Sequence, residues 1–109
     1  MSADAELIEL AKQARDKAYC PYSEYSVGAA VRCADGTVYT GCNVENASLG
    51  LTICAERTAL VKMVSEGCHR VVAIAVATKD GVAPCGACLQ FIVEFCSDPK
   101  LVDVWVANE

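Results

Sequence analysis

The chain has 109 residues, enough for one domain with its own core and too few to expect two. Hydrophobic residues make up 54% and charged residues 21%, a globular balance that excludes a disordered or low-complexity chain. Nine Lys plus Arg against fourteen Asp plus Glu give a formal charge of −5 and a pI near 4.8 with no basic stripe, which argues against long nucleic acid and for a small, uncharged partner.

From Asp4 to Tyr19, Leu7, Ile8, Ala11, Ala14 and Ala18 recur at helical spacing, with Glu9, Lys12, Arg15 and Asp16 between them. This predicts a surface helix ended by Pro21. Val27 to Cys33 and Val38 to Asn43 flank Ala34-Asp35-Gly36-Thr37, whose Asp-Gly pair is a strong hairpin signal, so two antiparallel strands are expected. Asn43 to Thr52 lacks a period and reads as a loop leading into a helix from about Cys54 to Glu66, with Gly67 as its stop. Val71 to Ala77 and Leu101 to Ala107 are apolar runs suited to covered strands. Between them Pro84 opens a helix from Cys85 to Cys96. The order helix, strand, strand, helix, strand, helix, strand implies one α/β domain over 1–109, a mixed β-sheet with helices packed on both faces.

The Val71 to Ala77 run is far too short to cross a bilayer, and Met1 to Leu10 alternates acids with small residues where a signal peptide would be basic and then apolar. The expected compartment is therefore cytoplasmic, with no membrane partner. Eight cysteines suit a disulfide framework only in a secretory context, so free thiols and metal ligands are expected instead. Cys20, Cys33, Cys42, Cys68 and Cys96 read as packing residues, and His69 as a solvated loop residue.

Cys54-Ala55-Glu56 and Pro84-Cys85-Gly86-Ala87-Cys88 each fall at the predicted start of a helix. A helix start carries unpaired N–H groups and partial positive charge, which favour the thiolate that zinc requires. Cys85 and Cys88 grip one ion from a single turn and Cys54 supplies a third ligand. Three protein ligands leave a tetrahedral position open, the arrangement of a catalytic zinc, so one Zn²⁺ per chain is expected. Three thiolates on Zn²⁺ leave a net charge of −1, which makes a bound water less acidic. Arg57, one turn from Cys54, is placed to hydrogen-bond its sulfur. At ~5 Å and an effective dielectric of ~20 that charge is worth roughly 3 kcal/mol.

These segments, with Gly41-Cys42-Asn43-Val44-Glu45-Asn46-Ala47 and Tyr22-Ser23-Glu24-Tyr25-Ser26-Val27-Gly28-Ala29-Ala30, resemble the cytidine deaminase family in its small, three-cysteine form. The resemblance runs from the first helix to the chain end and implies an α/β/α sandwich and a deaminase of cytidine and deoxycytidine. It implies Glu56 as the proton-shuttling catalytic residue and Cys54, Cys85 and Cys88 as zinc ligands. Asn43 and Glu45 correspond to ribose-binding positions, Tyr25 to an aromatic beside the substrate, and the Ala55 N–H to a donor to the pyrimidine carbonyl. Pyrimidine salvage and a homotetramer are further expectations of the same kind.

Leu89 stands where many family members carry an arginine, which leaves more of the charge compensation to Arg57. Family members usually continue past the position of Glu109, so a missing C-terminal extension is expected. Two alternatives stay open: a deaminase of a related aminopyrimidine nucleoside such as a nucleoside antibiotic, and a non-catalytic zinc-stabilised interaction module. Glu45 could merely be a loop acid, Asn43 a turn former and Tyr25 an ordinary packing residue.

Overall fold

The hairpin forms where its turn chemistry predicts it. In the computed structural model, which describes residues 3–78, 94–95 and 103–108, β1 (Gly28–Cys33) runs antiparallel to β2 (Val38–Cys42). Gly36 sits at φ 94°, a conformation that costs a residue without a Cβ little. The Thr37 N–H donates to Asp35 Oδ1 at 2.9 Å, and the Cys33 N–H donates to the Thr37 carbonyl at 2.8 Å.

β1 also pairs antiparallel with β3 (Val71–Thr78), and β3 pairs parallel with β4 (Asp103–Asn108). The sheet order is β2-β1-β3-β4, so the sheet is mixed as expected. Alternation along the strands sends successive side chains to opposite faces. Ala29, Val31, Cys33, Ile74 and Val76 join Ala55, Ala59, Leu60 and Met63 of α2 (Ala55–Ser65) in one core. Ala30, Ala73, Ala75 and Ala77 face the other way, against Leu7 and Ala11 of α1 (Ala3–Arg15). Helices thus cover both faces.

Two glycines set how closely the helices dock. A Cβ on Gly28 would lie 2.0 Å from the Ala11 carbonyl oxygen, and one on Gly41 would lie 2.5 Å from the Ala59 nitrogen. α1 and α2 therefore rest backbone to backbone on the sheet at these points.

Three expectations need correction. α1 stops at Arg15, not near Tyr19, because the Tyr19 N–H donates to the Asn43 carbonyl at 3.0 Å and Tyr19 bridges Val44 in parallel. Tertiary pairing there overrides the helical spacing of Ala14 and Ala18. α2 begins at Ala55 with Cys54 as its N-cap, in keeping with the expected start. Within the expected loop, Leu49–Leu51 form a short 3₁₀ turn. Cys33 and Cys68, expected as separate packing thiols, are joined as a disulfide.

Gly67, at φ 101°, ends α2 as predicted. The predicted helix from Cys85 to Cys96 lies outside the described residues except for Glu94 and Phe95. Phe95 packs against the α2-side core, and its carbonyl accepts the Val71 N–H at 3.0 Å. Among the described residues, no helix is long and apolar enough to cross a membrane.

Candidate active site

The N-terminus of α2 is held by a short β-bridge. Val44 and Ile53 exchange N–H to carbonyl bonds of 2.8 and 2.9 Å, while Tyr19 bridges Val44 on its other side. Residues far apart in sequence thus meet: Asn43 and Glu45, flanking Val44, turn their side chains the same way, and Ile53 delivers the chain to Cys54. Gly41 completes the arrangement by letting the first turns of α2 touch β2.

Cys54 has extended backbone (φ −73°, ψ 156°) and its side chain makes no capping bond, so its sulfur is not spent on the helix end. The Thr58 N–H and Oγ1 both donate to the Cys54 carbonyl, at 3.0 and 3.1 Å. Arg57 Nη2 donates to Cys54 Sγ at 3.4 Å and to the Thr52 carbonyl at 3.2 Å. The expected guanidinium contact to sulfur is therefore present. Ala55 is fully buried in the first turn. Glu56 is only 4% exposed, in the same first turn.

Asn43 and Glu45 face the loop spanning 22–27. Asn43, buried, accepts the Val27 N–H on Oδ1 and donates from Nδ2 to the Tyr25 carbonyl, both at 2.9 Å. Glu45 Oε1 accepts the Tyr22 and Ser23 N–H groups at 3.0 and 3.1 Å, and Oε2 accepts the Ser23 hydroxyl. The Ser23 hydroxyl oxygen also accepts the Tyr25 N–H at 3.0 Å. These bonds hold Glu24 at φ 58°, a left-handed conformation unusual for a residue with a Cβ, inside a segment of the site. The Ser23 hydroxyl, above all, holds the Glu45 carboxyl below its ordinary value; burial opposes it, and the Ser23 and Tyr22 N–H groups each lower it further.

A cavity of about 370 Å³ is lined by Tyr22, Ser23, Glu45 and Thr52. Tyr22, Ser23 and Thr52 were not singled out as site residues from sequence. Their only signal was the Tyr22-Ser23 start of a landmark segment, and nothing local tied Ser23 to an acid 22 residues away. Tyr25 is half-buried, joined to Asn43 through its backbone.

The donor set fits zinc as far as it is described. Cys54 offers a thiol at the N-terminal end of α2 with the Arg57 guanidinium on its sulfur. Cys85 and Cys88, with Pro84 and Leu89, lie outside the described residues. Among the described residues, one group of ligand-type side chains lies in range of one another, Cys33, Asp35 and Cys68; it sits past the far end of α2 and has its two sulfurs bonded together.

The family description "Cytidine and deoxycytidylate deaminase zinc-binding region" matches residues 1–103. A cytidine deaminase of Halalkalibacterium halodurans is 56% identical over 104 residues, covering 94% of this chain and 77% of that protein. One from Sporosarcina psychrophila is 52% identical over 94 residues, covering 84% and 69%. The crystal structure of cytidine deaminase from Burkholderia pseudomallei superposes with a TM-score of 0.90 at 48% identity, over 99% of this chain and 86% of that one. The matched length and this agreement in sequence and fold establish that the chain belongs to the zinc-binding cytidine and deoxycytidylate deaminase family.

Proposed function

We propose that this chain deaminates cytidine and deoxycytidine by hydrolysis, releasing ammonia and leaving uridine or deoxyuridine. The observation that carries the reading is the buried Glu56 carboxylate, two residues from Cys54 in the first turn of α2, with Arg57 on the Cys54 sulfur. Cys54, Cys85 and Cys88 would hold the zinc, which when bound supplies Lewis-acid activation of the attacking water. Glu56 takes a proton from that water, passes it to the ring nitrogen and assists the departing amine. Its burial keeps bulk water from competing for the same proton.

The Ala55 N–H, unpaired in a first helical turn, is positioned to donate to the pyrimidine carbonyl. Glu45 retains acceptor capacity on a carboxylate already oriented by Ser23, which suits a ribose hydroxyl. Asn43 contributes to the same subsite mainly by fixing the 25–27 backbone, with one N–H and one lone pair left for sugar. Tyr25 would flank the base.

We further infer a single catalytic domain acting in the cytoplasm in pyrimidine salvage, and a homotetramer. Tyr19, Val44 and Ile53 support the last point: they lie on successive bridges and are 56%, 40% and 42% exposed, an apolar stripe beside the site. Light scattering over a dilution series should show an assembly whose dissociation lowers activity. A fully active monomer would remove the oligomer from this account.

The direct test is ammonia release from cytidine, deoxycytidine, cytosine and a nucleoside-antibiotic analogue. Turnover confined to the analogue would select the antibiotic-type alternative, and none at all the non-catalytic one. Glu56→Gln is expected to lower kcat by about 10²- to 10⁴-fold with zinc content unchanged. Near-normal turnover in that variant would assign the proton transfers elsewhere.

A further inference from the structure

Cys33 and Cys68 are 35 residues apart and are brought together by two independent turns. On one side, Gly67 closes α2: its N–H donates to the Val64 carbonyl at 3.0 Å and the Cys68 N–H to the Met63 carbonyl at 3.1 Å. That reciprocal pair is a Schellman motif, which swings the residue after the glycine back over the helix end. On the other side, the β1–β3 register shifts between Arg32 and Cys33, just before the hairpin turn. The two Cα atoms stand 6.4 Å apart, within the span a disulfide bridges.

The two sulfurs differ in access. Both residues line a cavity of about 390 Å³ with Asp35, His69 and Arg70, but Cys33 is 2% exposed and belongs to the α2-side core, whereas Cys68 is partly exposed. The pair also sits at the end of α2 opposite Cys54, about 16 Å away by the rise of an 11-residue helix. Its chemistry is therefore separate from that of Cys54.

We propose that Cys33 and Cys68 form a redox-active pair that cycles between disulfide and dithiol by exchange with low-molecular-weight thiols of the glutathione class. In the reducing direction an external thiolate attacks Cys68 Sγ, the accessible sulfur. The Sγ–Sγ bond breaks, and Cys33 leaves as a thiolate that takes a proton from solvent. A second external thiolate attacks the external sulfur of the mixed disulfide, freeing Cys68, which is protonated in turn. The protein gains two electrons and two protons, and two small thiols become one small disulfide. The reverse sequence, with that disulfide as oxidant, closes the bond. The closed state ties the hairpin end of β1 to the end of α2 and encloses the whole segment that carries Asn43, Glu45, Cys54, Glu56 and Arg57.

The experiment is equilibration of the zinc-loaded protein in glutathione buffers of varying ratio, followed by acid quench, alkylation and peptide mapping. A Cys33–Cys68 linked peptide pair should rise and fall reversibly with the ratio, while zinc per chain stays constant. Closing a loop of this length should raise Tm by about 10 °C in the oxidised state, a difference absent from a Cys33→Ala/Cys68→Ala variant. Cys33→Ala should carry one glutathione adduct at Cys68, and Cys68→Ala none at Cys33. Both cysteines alkylating as thiols at the most oxidising ratio would overturn the proposal. That readout uses the unsubstituted chain and does not depend on the variants folding. A redox-dependent Tm that persists in the double variant would overturn the latch.

Discussion

Three donors converge on the Glu45 carboxylate, and the Ser23 hydroxyl weighs most on its charge state. Because the folded carboxyl titrates below its unfolded value, the loop anchor is complete above the ordinary glutamate range. It is lost as pH falls through the lowered folded value. Ser23→Ala should move the Glu45 titration back up toward the usual range, as followed by carboxyl NMR. It should also raise KM for cytidine more than for cytosine, since only the nucleoside offers ribose hydroxyls. An unmoved titration would show that the hydroxyl does not govern Glu45. At this scale legibility followed distance along the chain. Arg57 on Cys54 Sγ was readable because three residues on one helix turn are neighbours. Ser23 on Glu45 was not, because a serine after Pro21-Tyr22 reads as turn chemistry and its partner lies across a bridge.

Gly41 does for α2 what a side chain could not. With its missing Cβ only 2.5 Å from the Ala59 nitrogen and 2.8 Å from the Ala55 carbonyl oxygen, any larger residue must push the helix off β2. Gly41→Ala is expected to cost about 1 to 3 kcal/mol of stability, as overpacking does, and to weaken zinc retention because Cys54 and Glu56 ride on that helix. Denaturant unfolding and zinc release to a chelator measure the two effects, and a variant normal in both would show that the contact relaxes freely. The elements that sequence anticipated well were those with local punctuation: Asp35-Gly36 for the hairpin and Gly67 for the end of α2. The end of α1 was missed because its cause, the pairing of Tyr19 with the 43–45 segment, is not local. The joining of Cys33 to Cys68 was missed for the same reason, since the two residues are 35 apart in sequence.

Across the whole molecule, the two faces of the sheet are built from different stock. The α2 side packs Val31, Leu60, Met63, Ile74 and Val76, whereas the α1 side offers Ala30, Ala73, Ala75 and Ala77 to Leu7 and Ala11. Methyl groups let α1 lie close, but at roughly 25 cal/mol per Å² they remove little apolar area from water. Docking energy is therefore distributed unevenly between two helices of similar length, and solvent should find the weaker seam first. In amide hydrogen exchange, α1 is expected to open as a unit at a lower free energy than α2 and β3, giving up its protection before the rest of the domain unfolds. Equal protection in α1 and α2 would mean that the alanine seam is as strong as the leucine and methionine one. With the weaker seam opening first, heat or mild denaturant would strip the sheet of its α1 cover while α2 stays docked, so loss of native signal from the N-terminal segment should precede loss of activity in the ammonia-release assay.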